Sequence, residues 1–236
     1  MPKKNSLSAI TPASVLDFLP GQLLISNPRN PRDDLYQAVI LVVQDSLLEF
    51  PNSSSDVDAE VIGVRINDPL EDITVGSIAA ALGIAMAEPE PVWFGGRRLQ
   101  NRIHVVHTLD WSSSSTLMLN SEIGVTSDVS VLMAISDPRT RPSNFRACSG
   151  HVRWPRSQLI NEIRGDHLHT TPNSADTACD GGNDSSSSSS DSVVINLHHY
   201  ELVSATPELM FELQGPEQWR RCLSTAAQQQ ASRWMS

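Results

Sequence analysis

Gly150-His151-Val152-Arg153-Trp154-Pro155-Arg156-Ser157-Gln158-Leu159-Ile160-Asn161-Glu162 is the stretch on which the reading of the fold turns. Asn144 to Gly150, just before it, reads as a strand or turn. Pro155 to Arg164 reads as a helix that begins with a proline and stops at Gly165. Proline at the first helical position gives up no hydrogen bond, and glycine just past the end takes a left-handed turn at little cost. Leu159 and Ile163 are i,i+4 neighbours with Ile160 beside them, so one helix face is bound for the core and Asn161, opposite, for solvent. A strand or turn that runs into an amphipathic helix is a unit of a mixed fold.

Working outward, Gln22–Ser26, Ala38–Val43 and Val61–Ile66 are short apolar runs bounded by turn residues, the pattern of strands. Asn27 to Asp34, with Pro28 and Pro31, is a rigid polar loop between the first two. Ile73 to Met86 is alanine-rich with apolar residues at helical spacing and reads as a helix. Pro91-Val92-Trp93-Phe94 leads into Gly95-Gly96. Ile103–Leu109 and Thr116–Leu119 read as a strand pair across the serine tract 112–115. Asp128–Ile135 reads as a short helix capped by Ser127 or Asp128, and Val193–Leu197 as a strand. Thr206-Pro207-Glu208 and Gly215-Pro216-Glu217 are two helix starts, each with a proline and an acid in the first turn. Strands and helices without a regular βαβ repeat indicate an α+β fold, not a doubly wound sheet.

The 236 residues suit one domain, 20–230, behind a tail at 1–19. A Ser/Asp-rich insertion at about 173–192 holds almost nothing apolar, so burial cannot offset its ordering entropy. No run approaches the ~18 apolar residues of a membrane span. Met1-Pro2-Lys3-Lys4-Asn5-Ser6 has no apolar segment behind it, so the chain is expected to be cytoplasmic. Net charge is −10, unevenly spread: residues 45–90 carry ten acids and one base, whereas 91–169 carry nine arginines and six acids. Such a segment either steers an anionic partner or pairs internally with the acidic segments. A chain this acidic is not expected to bind duplex DNA directly.

Recognised catalytic patterns are missing. His104 and His107, three apart on a strand, point to opposite faces and cannot share an ion. His167 and His169 with Asp166 lack a further ligand at recognisable spacing, so no metal and no cofactor are expected. Cys148 lies near His151 and several arginines, which can activate a thiol; the plainer reading is a small buried strand residue. Cys148, Cys179 and Cys222 share no CxxC spacing. Gly95-Gly96-Arg97-Arg98 is either an anion-holding turn or simply a turn that needs positive φ. Trp154, between Arg153 and Arg156, is either a stacking platform or a packed indole.

Five segments, in order, carry a resemblance: Pro20-Gly21-Gln22-Leu23-Leu24-Ile25-Ser26-Asn27-Pro28; the apolar strand at 38–43; Gly63-Val64-Arg65-Ile66-Asn67-Asp68-Pro69; Val92-Trp93-Phe94-Gly95-Gly96; and Gly150 to Glu162. Together they resemble the AlgH/YqgE family of bacterial proteins. Pro207-Glu208-Leu209-Met210-Phe211 and Trp219 are similar to its C-terminal helices, and His107 falls where the family has a histidine. Arg97 replaces the proline of its G-G-P-V turn, and His151, Arg153 and Ser157 replace Tyr, Gly and Gly. The resemblance implies an α+β fold with a bifurcated, mostly antiparallel sheet curled into a partial barrel with flanking helices. It also implies a cytoplasmic protein with no agreed reaction, one branch being associated with transcriptional regulation of alginate synthesis. The candidate ligand- or partner-binding residues are then Asn67, Gly95, Gly96, Arg97, His107, Trp154, Gln158 and Glu162. The favoured function is a non-catalytic binding or regulatory protein acting through an unknown protein or small-molecule partner. The alternative is a hydrolase of a phosphorylated or nucleic-acid substrate, with Arg97, Arg98, Arg153 and Arg156 on phosphate and Glu162 or His107 as base.

Overall fold

The apolar runs become strands because both faces of the sheet they build are covered for much of its width. The computed structural model describes residues 20–28, 30, 35–45, 59–86, 89–165 and 199–235. Along the chain lie β1 (Gln22–Ser26), β2 (Val39–Asp45), β3 (Glu60–Arg65), β4 (Pro69–Thr74), α1 (Val75–Ala81), β5 (Pro91–Phe94) and β6 (Arg98–Thr108). Then come β7 (Leu117–Met118), β8 (Ile123–Thr126), α2 (Ser130–Ser136), β9 (Phe145–Pro155), α3 (Arg156–Arg164), β10 (Tyr200–Ser204), α4 (Pro207–Phe211) and α5 (Gly215–Trp234).

One ten-stranded sheet runs β10-β1-β2-β3-β9-β6-β8-β7, with β4 on β5 and β5 on β9. Among the described residues only the β5–β9 pairing is parallel. The sheet forks at β9: residues 147–149 pair with β5, residues 152–155 pair with β3, and β6 follows the other edge. The architecture is α+β, a mostly antiparallel sheet curled into a partial barrel with helices outside.

Successive residues of β1 show why both faces are apolar. Leu23 and Ile25 pack with Leu41 and Val64 under α4 and α5, against Leu209, Met210, Trp219 and Cys222. Leu24 packs on the opposite face with Ile40, Val61 and Trp154, under Leu159 of α3. A third cluster joins Val92, Val105 and Ala147 to Val131, Leu132 and Ile135 of α2. The Trp219 indole nitrogen also donates to the Ser26 carbonyl at 2.7 Å, fixing α5 on β1.

Several expectations need correction. The helix read over 73–86 is two elements. Residues 69–74 pair with β5 as a strand, and Thr74 opens α1 by a reciprocal cap with Ser77. Gly83, at φ +76°, follows the end of α1. The strand read at Thr116–Leu119 does not pair with β6; β8 does, and β7 is outermost. The cause is a second turn, in which the Asn120 side chain accepts from the amides of Glu122 and Ile123 at 2.8 Å each. The reading of 144–150 as strand or turn stopped short, since β9 continues to Pro155. Neither Ser127 nor Asp128 occupies the N-cap of α2, which is Val129, although Asp128 accepts from the Ser130 amide at 2.8 Å. The final helix runs past Gln230 to Trp234, and β10 had no counterpart in the sequence reading. The tail at 1–19, the insertion at 173–192, the strand at 193–197, His167, His169 and Cys179 lie outside the described residues. Among the described residues no helix is long and apolar enough to cross a membrane.

α3 departs from its reading at the start, since Pro155 is its N-cap and the last residue of β9 and not its first helical residue, and otherwise follows it, with Leu159 fully buried, Asn161 exposed and Gly165 closing it at φ 75°. Leu159→Ala should cost about 2–5 kcal/mol as a core truncation, whereas Asn161→Ala should stay within about 0.5 kcal/mol. Urea unfolding of the two variants checks this, and similar costs for both would place the helix in another register.

Candidate functional site

Most sequence candidates hold the fold together. Asn67 is 3% exposed and its amide is fully used. Its oxygen accepts from the Val39 amide at 3.0 Å and from Arg65 Nε at 3.4 Å, and its nitrogen donates to the carbonyls of Gln37 and Gly215 at 2.8 and 3.2 Å. It therefore latches β2, the end of β3 and the start of α5. Gly95 and Gly96 lie against Gly150 and His151 so closely that a Cβ on either glycine would strike β9 backbone. Trp154 is 1% exposed, edge-on to Tyr200 with ring centres 6.2 Å apart, which makes it a packed indole. Gln158 donates to Glu162 Oε1 at 2.7 Å, and Glu162 is buried beneath α3. His107 is fully buried, edge-on to Trp111, and burial pulls its pKa below the ordinary value.

These residues do not converge. Neither Glu162, His107 nor Trp154 lines either of the cavities bordered by Arg97, Arg98, Arg102 and Arg153. Cys148 is buried, and its thiol is pushed up to about 12 by burial, the opposite of an activated nucleophile. Among the described residues no three His, Cys, Asp or Glu side chains gather as a metal site.

The structure instead assembles a positive seam around His151. β6 and β9 are in register with Arg98 opposite His151, then again from Ile103 opposite Ser149; residues 99–102 bulge between. Leu99 sits in the bulge at φ 47°, a left-handed conformation that leucine rarely adopts. The Ser149 hydroxyl holds the bulge by donating to the Gln100 carbonyl at 2.6 Å. Beyond it, Arg102 and His104 stand two apart on one face of β6, and the His104 ring meets that of His151 edge-on at 5.6 Å. Ser127 Oγ lies 3.0 Å from His104 Nδ1.

His151 borders two cavities. One, of about 450 Å³, includes Arg102, His104, Ser115, Ser127 and Asp128. The other, of about 200 Å³, includes Arg65, Arg97, Arg98 and Arg153. Arg153 also pairs with Glu60 of the neighbouring strand, and Arg65 with Asp68 at 3.2 Å. The field is felt at the imidazoles. Burial lowers the His151 pKa, and Arg102, Arg153 and Arg98 lower it further. Burial, His151 and Arg102 together lower His104 to about 4.

Sequence reasoning passed over His104, Arg102 and Ser127 because it tested His104 only against His107. The available signal was the period-two spacing of Arg102 and His104 on a strand.

Both histidines should weaken the fold in mild acid. Their folded pKa values are depressed, so the unfolded chain binds more protons between pH about 4 and 6.5, and stability rises with pH across that window. From pH 7.5 to 5, His104 alone should account for a loss of about 1 kcal/mol after allowance for solvent screening. His104→Gln should flatten the urea midpoint against pH by that amount; an unchanged slope would show that the imidazole is not depressed.

Comparison with known proteins agrees with this architecture. The AlgH-like family model matches residues 23–188. A UPF0301 protein of Sphingopyxis alaskensis is 31% identical over 156 residues, covering 65% of this chain and 77% of that protein. Another, from Caulobacter vibrioides, is 29% identical over 152 residues, covering 63% and 72%. The solution structure of the AlgH protein from Pseudomonas aeruginosa superposes with a TM-score of 0.56 at 20% identity, over 94% of this chain and 92% of that one. A crystal structure of a Corynebacterium diphtheriae protein gives 0.54 at 17% identity, over 86% and 85%. At those identities the structural likeness concerns the fold. With the family match spanning most of the sheet and its fork, the chain belongs to the AlgH-like family.

Proposed function

We propose that this protein is a non-catalytic binding protein that takes a small anionic ligand at the seam around His151, and that any regulatory role runs through that ligand or a protein partner, not through duplex DNA. One observation carries the reading. Arg98, Arg102 and Arg153 converge on His151 in a chain of net charge −10. Among the described residues no carboxylate pairs with Arg98 or Arg102. Cations gathered without matching carboxylates repel one another unless an anion joins them.

The hydrolase reading has one observation in its favour, the Ser127 hydroxyl within hydrogen-bond reach of His104. Two facts weaken it. The His104 pKa is pulled to about 4, so the ring is a poor proton acceptor. Its other nitrogen, Nε2, has no hydrogen-bond partner, where a triad places a carboxylate.

NMR titration with phosphate, pyrophosphate and citrate should move amide signals around Arg98, Arg102, His151 and Arg153. The double variant Arg98→Gln, Arg153→Gln should weaken the response at least about tenfold, a loss typical of two charge-assisted contacts. Turnover of p-nitrophenyl phosphate that disappears in Ser127→Ala would sink the binding reading. In fluorescence anisotropy, duplex DNA should bind no tighter than about 10⁻⁶ M at physiological salt, the tight end of the non-specific range.

A further inference from the structure

The larger of the two cavities has a more specific chemistry than a positive field. Its volume of about 450 Å³ falls among those of small-molecule sites. His151 is 8% exposed, yet its Nδ1 has no hydrogen-bond partner, and His104 Nε2 is likewise buried without one. Ser127 Oγ takes up His104 Nδ1, which leaves Nε2 as the unpartnered atom of that ring. Buried polar atoms are normally satisfied, so two unpartnered ring nitrogens, each a donor once its ring is protonated, mark this wall of the cavity as a place for a partner from outside the chain. Arg102 adds a guanidinium fork beside them. Further along the cavity the chemistry changes, because Asp128 accepts from Ser115 Oγ at 3.3 Å and Ser127 stands between it and His104. One end supplies donors and positive charge, and the other supplies hydroxyls and a carboxylate.

We infer that this cavity binds a phosphate monoester of a hydroxylated small molecule, its phosphoryl oxygens on Arg102, His104 and His151 and its hydroxyls on Asp128, Ser115 and Ser127. The inference rests on the seam being an anion-binding surface and names the ligand class. A tetrahedral oxyanion with three terminal oxygens suits donors that arrive from two strands, one fork and two rings. A second anionic group would meet Asp128, so the remainder of the ligand carries donors. Binding takes up protons. The charged groups acting on the two rings are Arg98, Arg102 and Arg153 (the last shared with Glu60), with Asp128 at the cavity's other end. Burial is the first cause that holds the rings neutral, and the arginines add to it; a phosphoryl anion opposes the arginine field and attracts the protonated rings, so both imidazoles protonate at higher pH when it is bound.

Ribose 5-phosphate and inorganic phosphate are the probes, used with the full chain and imidazole-detected NMR. Saturation with ribose 5-phosphate should raise the His151 and His104 titration midpoints by at least about one pH unit, equivalent to binding the protonated rings about tenfold more tightly. Ribose 5-phosphate should bind more tightly than inorganic phosphate. Arg102→Gln should weaken binding at least about tenfold. Ring signals that stay in place at millimolar ribose 5-phosphate would overturn the inference, a result read on the unaltered protein and independent of how any variant folds. If amides near Arg98 and Arg153 still respond to anions in that case, the seam binds anions but not at this cavity. If nothing responds, both readings fall. Inorganic phosphate binding as tightly as the ester would overturn the assignment of the hydroxylated remainder.

Discussion

Three glycines where β5 leaves the sheet hold the arrangement together. Gly95 and Gly96 cross β9 at Gly150 and His151, and a Cβ on any of the three glycines would strike backbone of the other segment. The crossing is stitched by the Gly95 amide donating to Ser149 O and the Arg65 amide donating to Gly95 O, each at 2.8 Å. That contact allows one strand to serve both branches of the fork. It also changes the faces of β9. Cys148 belongs to the cluster under α4 and α5, whereas Val152 and Trp154, also even-numbered, belong to the cluster under α3. Gly150, at φ 74°, lies between them and acts as a bulge that shifts the alternation by one. The same shift brings His151 and Arg153 round to the side where Arg102 and His104 stand.

The other half of β9 is fixed by a charge instead of by bare backbone. Arg146 is 4% exposed, with its guanidinium 4.1 Å above the Trp93 ring. It donates to the carbonyls of Ile66 and Leu213 and, at 2.7 Å, to the Gln218 side chain. Among the described residues no carboxylate accepts from it, and burial pulls its pKa to about 10, which still leaves it charged at neutral pH. A buried cation is tolerated only when neutral acceptors and a ring face replace its water. Arg146 thus clamps β3, β5, β9 and the α4–α5 junction, the junction that Asn67 holds from β3. The arginine-rich segment therefore divides by role: Arg146 is structural, Arg153 is split between Glu60 and the seam, and the remainder of the positive field comes from Arg98 and Arg102 on β6.

Elements whose signal is local were legible in the sequence. The helices opened by Pro155, Thr206-Pro207 and Gly215-Pro216 were readable because caps, proline and glycine act within one turn. β1, β2 and β3 were readable because continuous apolar runs suit strands buried on both sides. β8 was missed because four residues give little periodicity, and its pairing with β6 depends on the turn at Asn120. α1 was read too long because alanine spacing fits a helix while residues 69–74 are held in a strand by β5, a partner far along the chain. The site was harder still. Gly95, Gly96 and Asn67 carry a recognisable pattern because the backbone demands them, and such positions look functional in a sequence. His104 and His151 carry none, being 47 residues apart in number and joined only by the register of two strands and a bulge.

Net charge and local charge then act on different scales. At physiological salt the screening length is about 8 Å, so a ligand seated among Arg98, Arg102 and Arg153 responds to those cations far more than to acids elsewhere on the chain. A small anion can occupy the seam whole. On the proposed reading a duplex does not, because it presents a charge every ~1.7 Å and extends beyond the seam along a chain of net charge −10. On that reading the net charge discriminates by size, leaving a compact anion with the favourable local field and setting the unfavourable one against a long polyanion. On the proposed reading Asp128 applies the same logic inside the cavity, where its carboxylate disfavours a second negative charge on the ligand.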